Sequence, residues 1–181
     1  MKNKILYISS VCLLLFACTS EPDFSVIPAI SFNDIKVFTS ASQGLLGVSK
    51  KDSVIITVDY QDGDGDLGFT PDELIRLKKT TGDSLQTFLV EIFVKRNGIF
   101  LKSNPKEKFG GNFPIRFKQG TKTGPIEGSM NYSVNFEYSV FQGIPYLKGK
   151  NDTIKFAVQI KDRALNKSNI VETTPIVIYA K

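Results

Sequence analysis

The 181-residue sequence has no histidine and no tryptophan, two cysteines and two methionines, and no run of about 20 apolar residues of the kind that spans a bilayer. Without histidine the commonest general base is missing, as is the commonest ligand for zinc or copper, so most hydrolase and transition-metal chemistries lose their central residue. No enzyme is expected. Strong charge of one sign is also lacking: 23 Lys and Arg stand against 18 Asp and Glu. The basic residues fall in scattered pairs such as Lys50 and Lys51, Lys78 and Lys79, and Lys95 and Arg96. There is no stripe of basic and aromatic residues of the kind nucleic acid requires, and no nucleic-acid partner is expected. What is present is a composition that is 41% apolar and 11% aromatic, with 14 Phe, too apolar for a disordered chain and sufficient for one packed domain.

The first residues read as a leader. Lys2 and Lys4 precede an apolar stretch from Ile5 to Ala17, which ends directly before Cys18. A basic start followed by a short apolar run is the pattern of a secretory signal peptide, here residues 1–17. Leu15, Phe16, Ala17 and Cys18 resemble the lipobox of bacterial lipoproteins, with Phe16 departing from the small residue usual at its place. The resemblance implies a covalent lipid on Cys18. Cysteine usage agrees, because Cys12 leaves with the leader and Cys18 is then single, so no disulfide can form within one molecule. A free thiol is a liability in an oxidising compartment, whereas an acylated one is inert, and several acyl chains at one cysteine anchor a protein stably. Thr19 stands where an inner-membrane retention signal would have Asp, and Glu21 and Asp23 resemble acidic surface-export signals. The expected location is the outer membrane, lipid-anchored, facing the periplasm or the surface. Residues 18–27 form the lipidated cysteine and a polar tether, and the packed domain runs over 28–181.

Within 28–181, apolar residues alternate with polar ones. Val54, Ile56, Val58 and Tyr60 share one face; so do Met130, Tyr132, Val134, Phe136 and Tyr138, and again Ile154, Phe156, Val158 and Ile160. Period two over such lengths predicts strands with one buried and one wet face. Asn97-Gly98 between Phe88–Lys95 and Ile99–Lys102 supplies the positive φ values of a tight hairpin turn. Ala29–Phe38, Pro114–Phe117 and Ile170–Tyr179 complete about eight strands, which predicts an all-β, antiparallel, Ig-like Greek-key β-sandwich. One helix is predicted over Pro71–Lys79, with Pro71 at its first position, Asp72 and Glu73 in its first turn and two lysines at its end.

The most distinctive string is Asp62-Gly63-Asp64-Gly65-Asp66-Leu67-Gly68, directly after a strand. Hard cations such as calcium take six to eight oxygens, and glycine punctuation lets alternate carboxylates converge on one point. Counted from Asp62, the ligand places of an EF-hand loop fall on Asp64, Asp66, Gly68, Thr70 and Glu73, although Leu67 stands where that motif has Gly and a strand replaces its leading helix. Calcium ligands are therefore expected at Asp62, Asp64 and Asp66, with Glu73 and Asp162 as further candidates. Asp162 opens a second polar stretch through Asn169, which reads first as a hairpin loop and can also bring Asp162 or Asn166 to the acidic loop. A tight solvated turn is the plain alternative for the acidic string. Asp59, on the opposite strand face from Val58 and Tyr60, is expected to be solvated.

With the lipobox, the acidic loop and an ending in which Asp162, Asn166 and Ser168 precede Thr173 and Pro175, the chain resembles small Bacteroidota lipoproteins, and its ending is similar to those of immunoglobulin-like domains on bacterial surfaces. The resemblance implies an Ig-like domain on the outer membrane. The expected function is non-catalytic: a calcium-braced domain acting in binding or envelope assembly, with an envelope protein or a glycan as partner. Two alternatives stay open. A glycan-binding module would expose several of Phe100, Tyr138, Phe141 and Tyr146 on one flat face. A glycosidase would need two carboxylates facing each other across a cleft and an apolar neighbour raising one pKa, and the sequence shows neither.

Overall fold

The computed structural model describes residues 22–44, 47–81, 86–103, 109–115, 124–138 and 144–180. The leader and Cys18 lie outside them. Among the described residues, nine strands and one helix follow in the order β1 (Ala29–Gly44), β2 (Gly47–Asp62), α1 (Pro71–Thr81), β3 (Phe88–Arg96), β4 (Ile99–Ser103), β5 (Gly110–Gly111), β6 (Ile126–Glu137), β7 (Asp152–Ile160), β8 (Val171–Glu172) and β9 (Ile176–Ile178). The first sheet has the order β1-β2-β6. The second has the order β4-β3-β7-β8, with β5 also on β3 and β9 also on β7. Every pairing is antiparallel.

The alternation in the sequence is realised as burial. Val54, Ile56 and Val58 of β2 and Ile154, Phe156, Val158 and Ile160 of β7 are buried and belong to one apolar cluster shared by both sheets. Ring pairs cross between the sheets: Phe88 stacks on Tyr132 with centroids 5.0 Å apart, and Phe136 meets Phe156 at 6.5 Å. The result is an all-β, sandwich-like domain with one core. Asn97 and Gly98 form the β3–β4 turn with φ of 52° and 84°, which Asn tolerates and Gly, lacking a Cβ, adopts freely.

Two expected strands differ. Pro114 and Ile115 are irregular, and Arg116 and Phe117 lie outside the described residues; the short strand forms at Gly110–Gly111 instead, against Phe88 and Leu89. Proline has no N–H to give a ladder. The expected strand Ile170–Tyr179 is split, because Pro175 likewise interrupts it. Thr173 bridges the gap, its N–H donating to the Phe156 carbonyl at 2.9 Å and its hydroxyl accepting from the Phe156 N–H at 3.0 Å.

Candidate metal centre

β2 and β7 run in the same sense and end together. Ile160 of β7 faces the core, and period two carries its inward face on to Asp162, as it carries the inward face of β2 from Tyr60 to Asp62. Both acids are buried, Asp62 to 0% and Asp162 to 1% exposure. The chain then crosses from the first sheet to the second through the acidic loop and α1. Leu67, fully buried, pins the loop to the core. Glycine is required at two places in it. Gly65 (φ 67°) lies so near the Gly124 carbonyl that a Cβ would fall 2.4 Å from its oxygen, and Gly68 (φ 91°) is similarly set against the Pro114 carbonyl at 2.5 Å.

This path gathers three of the five predicted ligands. One carboxylate oxygen from each of Asp62, Asp64 and Asp66 lies within 4.8 Å of the others. The Oδ1 atoms of all three are buried without a hydrogen-bond partner among the described residues, whereas Asp62 Oδ2 accepts from the Asp66 N–H at 3.0 Å. Burial pushes the Asp62 carboxyl from 3.8 up to about 7 against that N–H, and the charges of Asp64, Asp66 and Asp162 push the same way. Burial, followed by the charges of Asp162 and Asp64, also raises Asp66, while the backbone N–H groups of Arg163 and Ala164 pull it back.

A fully solvated turn would expose these oxygens, whereas all three Oδ1 atoms are buried. Two unit charges 4 to 5 Å apart repel by roughly 1 kcal/mol in bulk water but by roughly 3 to 4 kcal/mol at the effective dielectric of about 20 that suits protein sites. Buried acceptors without partners carry a further desolvation cost. A bound cation removes both penalties, and the all-oxygen donor set suits a hard ion.

The remaining candidates have other partners. Asp162 lies close enough to act on Asp62 and Asp66 electrostatically, but its two oxygens accept from the Asn166 N–H at 2.7 Å and the Asn166 side-chain amide at 2.8 Å, which closes the hairpin loop. Glu73 is outside the cluster. Its Oε2 accepts from the Thr70 N–H at 2.8 Å and the Thr70 hydroxyl at 2.9 Å, while its own N–H donates to the Thr70 hydroxyl at 3.2 Å. This is a capping box at the start of α1. Arg163 pairs with both Glu73 oxygens. Hydrogen bonds from Arg163 and then Thr70 hold the Glu73 carboxyl down at about 2. The EF-hand count therefore fails at both Thr70 and Glu73, which serve the helix.

Arg163 is the residue that sequence reasoning missed. Its guanidinium donates to the Gly68 carbonyl at 3.0 Å and lies 5.1 Å from the centre of the Phe69 ring. The side chain thus staples the β7–β8 loop to the acidic loop, and nothing in the spacing signals this. Asp59, on the outer face, accepts both Asn33 side-chain bonds at 2.9 Å and one from the Ser129 hydroxyl at 2.5 Å.

The aromatic residues do not assemble a platform among the described residues. Tyr146 is 51% exposed, but Tyr138 is turned onto Asp52, Phe100 lies under Lys95 and Lys155, and Phe141 lies outside the described residues.

Fold and site together define a class: an all-β, sandwich-like domain with, at one end, a carboxylate cluster that can hold a metal ion. Comparison of the chain with family models, with curated proteins and with solved structures finds no match.

Proposed function

We propose that the chain is a non-catalytic, lipid-anchored envelope protein whose Ig-like sandwich is braced by calcium at Asp62, Asp64 and Asp66 and which acts in binding or envelope assembly at the outer membrane. One observation carries the calcium reading: Asp62, Asp64 and Asp66 bring carboxylate oxygens within 4.8 Å of one another, and each has a buried Oδ1 without a partner among the described residues. Calcium suits it better than magnesium, which sheds its waters reluctantly and demands a stricter octahedron, whereas calcium accepts irregular shells of six to eight oxygens. An affinity of about 10⁻⁴ to 10⁻³ M, the range of extracellular modules, suffices outside the cell and stabilises the fold by linkage. The anchor at Cys18 and the outer-membrane location rest on the leader and lipobox pattern, and the Ig-like reading on two antiparallel sheets packed over one core.

One observation favours an acid-base enzyme: a carboxyl group raised to about 7 is what a general acid needs. Against it, the Asp62 oxygen is sealed from solvent, and three acids share one point rather than flanking a cleft. Thermal unfolding of the full chain in calcium, in magnesium and in excess chelator tests the proposal, with a triple Asp62, Asp64, Asp66→Asn variant as control. A calcium-selective rise in Tm that the variant loses supports it; identical melts under all conditions refute it.

A further inference from the structure

The chain enters the sandwich at the acidic end, since the first residue of β1, Ala29, pairs with Gln61, next to Asp62. The preceding segment is not a free leash. The N–H of Gly63, which lies between Asp62 and Asp64, donates to the Ser25 carbonyl at 2.8 Å. The Phe24 carbonyl lies so near Gly63 that a Cβ there would fall 2.3 Å from its oxygen. The Ser25 hydroxyl accepts from the Ile27 N–H at 3.0 Å, which shapes the segment locally. Phe24 is half-buried, while Val26 and Ile27 are mostly exposed. Among the described residues, the Gly63–Ser25 bond is the one hydrogen bond that joins residues 22–27 to the rest of the domain.

We infer that the cation site is also a latch: an ion held by Asp62, Asp64 and Asp66 fixes Gly63 in the position that docks Phe24 and Ser25, and loss of the ion releases residues 22–27. The inference rests on the calcium reading above. The physical link is short. Gly63 lies between two ligand residues, so the loop geometry that satisfies the ion also aims its N–H. Without the ion, the three acids repel one another, and among the described residues the Gly63–Ser25 bond and the packing of half-buried Phe24 are what oppose release. Six freed residues at about 3.4 Å each add roughly 20 Å of reach. In the anchored protein, calcium would thus set how far the domain stands from the membrane and keep its acidic end turned toward it.

The test uses the full chain. Calorimetric titration first establishes calcium binding. Chymotryptic cleavage at the Phe24–Ser25 bond and hydrogen exchange at the Gly63 amide are then followed in calcium and in chelator, with the exchange of Ile154–Ile160 as a check that the core stays folded. Calcium is expected to slow the cleavage at least tenfold and to protect the amide. Exchange at the Gly63 amide is the readout that does not depend on the protease. Equal cleavage and exchange in calcium-loaded and chelated protein overturn the latch while leaving the metal site intact. Absence of calcium binding removes the metal reading itself, a separate outcome.

Discussion

In the first half of β2 and at the start of β7, Asp52 and Asp152 are as deeply buried, each 1% exposed, as Asp62 and Asp162 are ten residues later on the same inward faces, yet the two ends treat their acids in opposite ways. Asp52 accepts from the Thr39 hydroxyl at 2.6 Å, the Tyr179 N–H at 2.6 Å and the Tyr138 hydroxyl at 3.2 Å. Asp152 accepts from the Arg96 guanidinium and from the N–H groups of Lys148 and Gly149 at 2.8 and 2.7 Å. At this end the chain supplies donors and a cation of its own. At the other end the guanidinium of Arg163 is committed to Glu73 and the Gly68 carbonyl, and three carboxylate oxygens lack partners among the described residues. Burial alone therefore does not mark a metal site. Burial with the donors missing marks a place that can hold a metal ion, because a buried acid without donors must either take up a proton or meet a cation.

The largest expected effect lies at the self-sufficient end. Asp152→Ala leaves the Arg96 guanidinium and two N–H groups without their acceptor and should cost about 3 to 5 kcal/mol, by the same amount in calcium and in chelator. Urea unfolding of the variant under both conditions checks this, and a calcium-dependent loss would break the contrast. Next comes the acidic end. At calcium one hundred times Kd the wild-type chain should gain about 2.7 kcal/mol, or about 5 to 10 °C in Tm, and the triple Asn variant should gain nothing. In chelator that variant should melt above the wild type, since it removes the repulsion.

A smaller effect is pH-dependent. The native Asp62 pKa, about 7, lies above its ordinary 3.8. Between those values the native state holds a proton that the unfolded chain has lost, so metal-free stability falls as pH rises. From pH 5.5 to 7 the loss should be about 1 to 2 kcal/mol in chelator, and calcium should abolish it by taking the place of the proton. Melts at stepped pH measure both slopes. The smallest effect concerns Glu73. Glu73→Gln should cost about 1 kcal/mol or less, since it weakens the Arg163 pair and the cap of a half-exposed helix start, and should leave calcium affinity unchanged. A large loss of affinity would return Glu73 to the ligand shell.

Much of this was legible in the residues. Alternation located the inward faces of β2, β6 and β7, and Asn97-Gly98 located a turn, because both depend on local geometry. The acidic loop was legible as a place where carboxylates converge. Glu73 falls at the twelfth place of an EF-hand count, but the nearer signal is the capping box Thr70-Pro71-Asp72-Glu73. The buried acids of the opposite end were overlooked although parity marks them: Asp52 lies two residues before Val54, and Asp152 two before Ile154. Their distant donors, Tyr138, Tyr179 and Arg96, come from 86, 127 and 56 residues away, and no local pattern reveals such pairings. The same holds for Arg163, whose contact with Glu73 spans 90 residues.

The most direct test of the central claim is a calorimetric titration of the full chain with calcium at pH 7, repeated in buffers of different ionisation enthalpy to count protons. The account predicts one saturable calcium site per chain whose filling releases part of a proton, with both binding and release lost in the triple Asn variant. Absence of saturable binding, or binding that the variant retains, would contradict it.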